Sequence, residues 1–547
     1  MIKSLKNSQL SELESYPVCV VGGGAAGITM AIALARKGQR VLLIEGGDWK
    51  QVENEDAYMG EAVSPHASTT EYRYQRLGGT THLWGGRCVP LDAYDLKQRD
   101  YVPNSGWPIE ANELFPFYSD ALDYCDAGNN DFTIKALRNK KPMFEDLKQL
   151  DGEIKELIER YSLPTDFAKK FGSELKLSKN ILVLKETRVT TMHMNESGTY
   201  VDRIELNNGV IRLNLKVKQV VIAGGGIEST RLMLATRKHT PSWTRFDASL
   251  GKFYACHYDL IFGSLRFNGS KPFFDFEKTV DGIYARRKLQ FKESFLDQHR
   301  LLNSTFRLHF PAYADASHGS GVLSTIYLAK SVLAKEYQAI LNHGGQELSG
   351  EKNYSAHMLN VMTDAHSVAK FGMDWIFKRQ LAKRKLPYTL INNKNGTYPL
   401  EFNSEQVPDK ENKISLLDAT DQFGMPRVKV EWRMTSQDIN SGIRSFELLK
   451  SLLDKTKDCR LEFDAKRLEN SVSSALPVGG HHIGSTRMGD SEDKSVVDNN
   501  CQVHGVNNLF IASSSVFPTN GHANPTLTIV ALSLRLASHL HTQILKT

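Results

Sequence analysis

The 547-residue sequence contains little of several features that would restrict its class. It has no CxxC pair, which argues against a zinc site or a disulfide scaffold, and its six cysteines lie far apart, at Cys19, Cys88, Cys125, Cys256, Cys459 and Cys501. No stretch approaches the roughly 20 apolar residues of a membrane-spanning helix, and the N-terminus has no apolar segment before a cleavage site. The net charge is only +6, with lysine and arginine scattered among acidic residues, which disfavours nucleic acid as a partner.

These absences favour a protein of the reducing cytoplasm, although export alongside a signal-bearing partner stays open. The 41% of hydrophobic and 24% of charged residues are typical of a globular protein with a large core. The length predicts roughly two to four domains. No internal repeat or low-complexity linker separates them, so we expect interleaved domains, and a homo-oligomer is compatible with the composition.

The stretch YPVCVVGGGAAGITMAIALARKGQRVLLIEGG predicts strand, tight turn, buried helix and second strand. Within it, Gly22, Gly24 and Gly27 form a G-x-G-x-x-G motif. The first glycine permits the turn, the second lets a pyrophosphate approach the backbone, and the third lets the helix lie close to the strand. Glu45 ends the second strand, where a carboxylate can accept hydrogen bonds from ribose hydroxyls. We therefore predict a dinucleotide site; the alternative is an ordinary glycine-rich turn of an α/β protein.

The identity of the dinucleotide depends on the segments that come after this unit. Residues 72–92 do not continue as alternating strand and helix, as a two-halved NAD domain would. Their glycines, threonines, histidine and tryptophan instead suggest a loop laid over a large flat ligand, although glycine-rich loops are common. The unit at 215–239 again indicates strand, glycine turn and helix, and alternation in residues 303–310 indicates a half-buried strand.

Seven motifs resemble the glucose-methanol-choline (GMC) family of FAD-dependent oxidoreductases. They are the glycine-rich start, LGGTTHLWGG (77–86), GWPIEANELFPFY (106–118), VVIAGGGIESTRLML (220–234), DQFGMPRVKVEW (421–432), HHIGSTRMG (481–489) and the closing segment 497–537. HHIGSTRMG with GHANPTLT is most similar to the branch of pyranose oxidase and bacterial sugar dehydrogenases. The resemblance implies an α/β fold: a doubly wound, Rossmann-like FAD-binding domain with a substrate domain on an antiparallel sheet.

The resemblance also implies domain bounds and cofactor contacts. Residues 1–125, 180–258 and 472–547 are expected to form the FAD-binding domain, and residues 126–179 and 259–471 the substrate domain, with a helical insertion near 320–390. The expected contacts with FAD are Gly22, Gly24, Ala25, Ala26, Gly27, Glu45, Gly79, Thr80, His82, Leu83, Trp84, Gly85, Val189, Ala223, Gly224, Ser513, Asn524, Pro525 and Thr526. Relatives with covalent FAD carry histidine where this chain has Leu83, so noncovalent FAD is expected. Many relatives carry aspartate at the position of Ser513, and its absence favours the sugar branch.

The family forms its catalytic pair from the first histidine of an H-x-x-G motif and a histidine or asparagine before the final helix. Carried over, these are His481 and Asn524, with His481 also a substrate contact. Oxidation of an alcohol removes a hydride and a proton, and a histidine within hydrogen-bond reach can take the proton. The neighbouring His482 is the alternative base, and a purely structural histidine pair is a third possibility. Asn524 precedes Pro525, so it can also cap the final helix.

Other residues have weaker functional interpretations. His522 is a candidate substrate contact, and Phe273, Phe274, Phe276 and Tyr284 could stack on a sugar ring or simply form core. The segment 367–388 combines an apolar stripe with a basic tail; a solvated helix is the default, and a membrane or redox-partner contact the alternative. No metal is predicted.

The expected function is hydride transfer from a CH–OH group of a carbohydrate, glycoside or polyol to FAD, with histidine as base. Oxygen, a quinone or a redox protein could accept the electrons. The alternatives are a flavin-dependent lyase of the same fold, an enzyme acting on a sterol or aliphatic alcohol, and a flavin-binding protein without catalysis.

Overall fold

The structure is a computed structural model that describes residues 1–50, 56–269, 271–329, 353–387 and 396–546. Its strands, in chain order, are β1 (Ile2–Ser4), β2 (Val18–Val21), β3 (Val41–Ile44), β4 (Glu61–Ala62), β5 (Arg87–Cys88), β6 (Ile154–Tyr161), β7 (Ile181–Lys185), β8 (Arg188–Met194), β9 (Val201–Asn207), β10 (Arg212–Lys216), β11 (Gln219–Ile222), β12 (Tyr258–Phe267), β13 (Glu277–Lys278), β14 (Tyr284–Phe291), β15 (Ser304–Leu308), β16 (Thr397–Ser404), β17 (Lys413–Thr420), β18 (Pro426–Glu431), β19 (Cys459–Glu462), β20 (Leu476–Pro477) and β21 (Leu509–Ile511).

The α-helices of the described residues are α1 (Leu10–Glu14), α2 (Ala25–Arg36), α3 (Ala93–Leu96), α4 (Ala111–Leu114), α5 (Phe117–Tyr124), α6 (Phe167–Leu177), α7 (Gly225–Lys238), α8 (Glu293–His299), α9 (Gly321–Ala329), α10 (Tyr354–Thr363), α11 (Ala365–Asp374), α12 (Ser436–Leu453), α13 (Ala465–Ser473) and α14 (Pro525–Lys546). A π-helical turn, Trp375–Gln380, follows α11.

A six-stranded parallel sheet forms the centre of the first core, in the order β1-β7-β3-β2-β11-β21. Apart from the edge strand β1, which is half-buried, the strands are short and almost wholly buried apolar segments, as strands covered on both faces must be. Helix α2 buries ten of its twelve residues against this sheet and packs against α14, so its sequence is apolar all round.

The strand order places a ligand crevice at the carboxyl ends of β2 and β11. From β2 the chain moves to β3 on one side, and β11 lies on the other side of β2. At such a reversal the loops after the two strands diverge and leave a crevice, which is where open parallel sheets bind ligands. The loops that begin at Gly22 and Ala223 therefore face each other.

A second core surrounds a nine-stranded antiparallel sheet in the order β19-β12-β16-β15-β14-β6-β5, with β13 paired to β14 and β20 to β12. Two three-stranded sheets, β10-β9-β8 and β17-β18-β4, complete the strands. The α/β fold with an antiparallel second sheet, predicted from the sequence, is confirmed.

Within the range 320–390, the described residues form α9, α10, α11 and the π-helical turn, while 330–352 and 388–390 lie outside the described residues. Large apolar side chains of its second half stay exposed, among them Met373, Phe377 and Leu381. Among the described residues, no helix has the length and apolar character needed to cross a bilayer.

Candidate active site

The phosphate end of the dinucleotide pocket is built by the turn between β2 and α2. Gly22 has φ +110°, and a side chain there would meet the carbonyl oxygen of Ala223 at 2.5 Å. A Cβ atom on Gly27 would collide with the carbonyl oxygen of Gly22, so only glycine lets the helix approach. A Cβ atom on Gly24 would meet nothing within 4 Å, which leaves open space in front of the helix N-terminus. The turn therefore fits a pyrophosphate, which needs free N–H groups and close backbone approach.

Glu45 lies one residue beyond β3, buried at the wall of the same pocket. Its Oε2 atom accepts a hydrogen bond from the Gly23 N–H and its Oε1 atom one from the Gly47 N–H, both at 2.7 Å. Burial raises the pKa of this carboxyl, although the two backbone N–H groups act in the opposite direction. Each carboxylate oxygen has a second lone pair, so the predicted acceptance from a ribose hydroxyl remains available.

Most of the predicted contacts line this one pocket. They are Gly22, Gly24, Ala25, Ala26, Glu45, Gly79, Thr80, Trp84, Val189, Ala223, Gly224, His481, Ser513, Pro525 and Thr526. The wall does not include Gly27, His82, Leu83, Gly85, His522 or Asn524. Gly27 acts inside the helix contact described above, whereas Leu83 and Gly85 are exposed to solvent and His82 bonds to the Gly79 carbonyl through Nδ1 at 2.9 Å.

The wall also contains charged residues that the motifs did not indicate. Glu228 forms ion pairs with Arg73, with Arg188 at 3.7 Å and with Arg231 at 3.3 Å. Burial works to raise the pKa of Glu228, but the three guanidinium groups outweigh it and lower the pKa. The carboxylate is thus kept ionised at the pocket wall. No local pattern in the sequence indicated this group of charged residues, since 155 positions separate Arg73 from Glu228.

His481 and Asn524 are brought together although 43 positions separate them. The Nδ2 atom of Asn524 lies 3.0 Å from Nε2 of His481, and His481 lines the pocket. The final helix begins at Pro525, as the sequence predicts, and the Asn524 side chain immediately before it contacts the imidazole. A single hydroxyl oxygen could contact both nitrogen atoms, because they lie within hydrogen-bond range of each other.

His257 completes this group, and no feature of the sequence identified it. Its Nδ1 atom lies 2.9 Å from Nδ1 of His481, and its Nε2 atom lies 3.3 Å from the backbone oxygen of Asn520. The two imidazole rings meet edge to face, with centroids 4.8 Å apart. No motif marked His257, because a histidine just before a strand has no distinctive spacing.

His482, the alternative base, also lines the pocket but makes different contacts. Its backbone oxygen accepts a hydrogen bond from the Ser514 hydroxyl at 2.6 Å, and its ring lies 6.3 Å from those of His66 and Tyr254. Burial lowers the pKa of His482 to about 3, with Arg73 and His66 adding to the effect. Asn524 contacts His481 and not His482.

His522 lies in a buried polar cluster with Lys288, Asp92 and Asp95. Its Nε2 atom is 3.4 Å from an Asp92 carboxylate oxygen, and its Nδ1 atom is 3.1 Å from Nζ of Lys288. The ligand atoms of Asp92, Asp95 and His522 lie within 4.8 Å of one another, a spacing that a metal ion could bridge. The Lys288 ammonium against the same imidazole opposes a cation there, and Gln290 and Asn303 already donate to the two carboxylates.

The aromatic residues proposed for sugar stacking are divided between core and surface of the second sheet. Phe274 is part of the second core and Tyr284 is buried. Phe273 lies under the guanidinium of Arg287, 5.2 Å from its ring centroid, and Phe276 meets Tyr161 edge to face. None of the four lines the dinucleotide pocket.

The fold and the pocket define a dinucleotide-dependent oxidoreductase, and comparison with known proteins specifies its family. Residues 408–533 match the family model described as GMC oxidoreductase, and residues 17–50 match that described as FAD dependent oxidoreductase. The chain is an FAD-dependent oxidoreductase that acts on CH–OH donors, and these matches support its membership of the GMC family.

Individual relatives agree with this assignment. The 2-methyl-1,2-propanediol dehydrogenase of Mycolicibacterium austroafricanum is 23% identical over 582 residues, covering 96% of this chain and 94% of the relative. The C-glycoside 3-oxidase of Arthrobacter globiformis is 34% identical over 125 residues, only 21% of either chain. The structure of a fungal aryl-alcohol oxidase superposes with a TM-score of 0.53 at 13% identity, covering 97% of this chain and 100% of that one, and so supports the fold alone.

Proposed function

We propose that this chain oxidises a CH–OH group of a carbohydrate, glycoside or polyol, with His481 as general base and Asn524 as the group that binds the reacting oxygen. The observation that carries the proposal is the 3.0 Å approach of Asn524 Nδ2 to His481 Nε2 at the wall of the dinucleotide pocket. The activities named for two relatives, on a diol and on a C-glycoside, support the substrate class.

His481 and Asn524 have different roles in the proposed reaction. The substrate carbon loses a hydride and its hydroxyl loses a proton, which leaves a carbonyl. When bound, FAD supplies the two-electron acceptor for the hydride. His481 Nε2 accepts the proton as the C–H bond breaks, because an imidazole is too weak a base to ionise an alcohol beforehand. The Asn524 amide donates a hydrogen bond to the substrate oxygen while negative charge develops there.

Several narrower parts of the proposal rest on the sequence. FAD is bound noncovalently, since Leu83 cannot form the histidine linkage. The FAD-binding domain comprises 1–125, 180–258 and 472–547, and the substrate domain the remainder. A reducing compartment is supported by six cysteines that are all free and buried. Oxygen, a quinone or a redox protein reoxidises the cofactor; turnover with oxygen compared with turnover with a quinone dye distinguishes them.

The test is anaerobic reduction of the FAD-loaded protein by a panel of sugars, glycosides and polyols. At least one should bleach the flavin absorbance, and His481→Gln should slow bleaching by roughly 10²–10⁴-fold without loss of bound flavin. His366→Gln, on the exposed face of α11, is the matched control and should behave as the unchanged protein. Cleavage of a cyanohydrin without bleaching would establish the lyase alternative, and bleaching only by sterols or aliphatic alcohols would replace the substrate class.

A further inference from the structure

We infer that His257 is a positioning residue that holds His481 in the one tautomer able to act as a base at Nε2. The inference rests on the proposed role of His481 and adds the group that prepares it. It follows from which atom donates and which accepts in the two hydrogen bonds that join the Asn520 carbonyl, His257 and His481.

The Asn520 carbonyl fixes the donor-to-acceptor direction of both hydrogen bonds. A carbonyl oxygen can only accept, so the Nε2 atom of His257, 3.3 Å away, must carry the hydrogen. A neutral imidazole has one N–H, which leaves a lone pair on His257 Nδ1. The Nδ1 atom of His481, 2.9 Å away, must then donate its N–H to that lone pair. His481 Nε2 is therefore unprotonated, and Asn524 faces it with its NH₂ group.

His257 can fix this polarity because it stays neutral. It is fully buried, and burial lowers the pKa of its imidazole to about 3, with the charges of His522 and Arg87 acting in the same direction. At neutral pH the ring thus presents one donor and one acceptor. A protonated ring would present two donors and would repel the N–H of His481.

Backbone hydrogen bonds keep the two histidines in register. The Val478 N–H donates to the His257 carbonyl at 2.8 Å, and the His481 N–H donates to the Val478 carbonyl at 2.9 Å. On the other side, Ala255 and Ile483 exchange two backbone hydrogen bonds of 2.9 and 3.1 Å. Strand β20 pairs with β12 next to His257. The segments that carry the two rings are therefore joined on both sides, so the contact between the rings is built into the fold.

The experiment compares His257→Leu with His257→Asn in the FAD-loaded protein. Leucine removes the acceptor, whereas the asparagine Oδ1 atom can replace Nδ1 as acceptor. We expect the rate constant for flavin reduction to fall roughly 10- to 100-fold in the leucine variant and to recover most of that loss in the asparagine variant, with KM nearly unchanged. His357→Leu removes another fully buried histidine, in the insertion, and should leave the rate unchanged.

A second measurement needs no substrate and is made on the protein with His257 in place. Ring ¹⁵N resonances of the FAD-loaded protein, with His481 assigned by loss of its signals in His481→Gln, report which nitrogen carries hydrogen. The expected result is protonated Nδ1 and unprotonated Nε2. Protonated Nε2 in His481, or full reduction rate in a flavin-loaded His257→Leu variant, would overturn the inference. If no alcohol reduces the flavin, the proposed function fails while the tautomer measurement still decides the role of His257.

Discussion

The Nζ atom of Lys288 lies 3.1 Å from the Nδ1 atom of His522, and both residues are buried. Lys288 lies on β14, and His522 in turn contacts the carboxylate of Asp92 at 3.4 Å. Burial lowers the pKa of the Lys288 ammonium from 10.5 to about 8, although Glu159 and Asp92 work against the shift. The second sheet therefore carries a cation that is costly to keep charged.

This cation predicts a pH dependence of stability. The folded chain releases the Lys288 proton near pH 8 and the unfolded chain near pH 10.5, so the unfolded state binds more protons between these values. The free energy of unfolding should therefore rise with pH there, by on the order of 3 kcal/mol from this residue. Denaturant titrations from pH 7 to 10 should show a shallower rise in Lys288→Met. Parallel curves for the two proteins would show that the ammonium is not perturbed.

The phosphate turn predicts opposite outcomes for two neighbouring glycines. In Gly24→Ala the new methyl group meets no protein atom within 4 Å, so the fold should persist while the methyl occupies space that the pyrophosphate needs. In Gly27→Ala it collides with the Gly22 carbonyl oxygen, so the helix must move and the fold should be destabilised.

Circular dichroism and flavin titration separate the two glycine variants. Without FAD, Gly24→Ala should melt at the same temperature as the unchanged protein. It should bind FAD at least about tenfold more weakly. Gly27→Ala should lose thermal stability even without FAD. Gly372→Ala, on α11 with open space around it, is the control and should change neither property. Normal FAD affinity in Gly24→Ala would mean that the pyrophosphate does not lie against this turn.

The parts of the fold that the sequence predicts are those encoded locally. The strand, turn and helix around Gly22 are specified within 30 residues, and the fold keeps them because a buried parallel strand and a buried helix both require apolar residues. The pairing of His481 with Asn524 could be expected only from a family pattern, since no local signal joins positions 43 apart. His257, Arg73 and Glu228 act through contacts between distant segments, so no spacing in the sequence marks them.

Removal of the Asn524 amide should separate catalysis from cofactor binding. Asn524→Ala and the isosteric Asn524→Asp both delete the donor that faces His481 Nε2 at 3.0 Å. Flavin content should be unchanged, because Asn524 does not line the pocket, whereas the next two residues, Pro525 and Thr526, do. Anaerobic flavin reduction should slow roughly 10²–10³-fold, the usual cost of losing one donor to a developing oxyanion. Asn499→Ala changes an exposed asparagine and serves as the control, which should keep the full rate. An undiminished rate in both Asn524 variants would show that Asn524 has no role in the reaction.

The buried imidazole of His482 should make the protein sensitive to acid. Burial lowers the pKa of His482 from 6.5 to about 3, so between these pH values the unfolded chain binds a proton that the folded chain excludes. The free energy of unfolding must therefore fall as pH falls from 6.5 towards 3. Denaturant titrations of the unchanged protein and of His482→Gln, from pH 7 to 4, should diverge by about 3 kcal/mol at the acid end, because glutamine does not titrate.

His257→Asn should likewise show a weaker fall in the free energy of unfolding with pH, since burial lowers the pKa of His257 to about 3 as well. If both variants follow the unchanged protein down the whole pH range, the two imidazoles take up protons in the folded chain and the acid sensitivity has another origin.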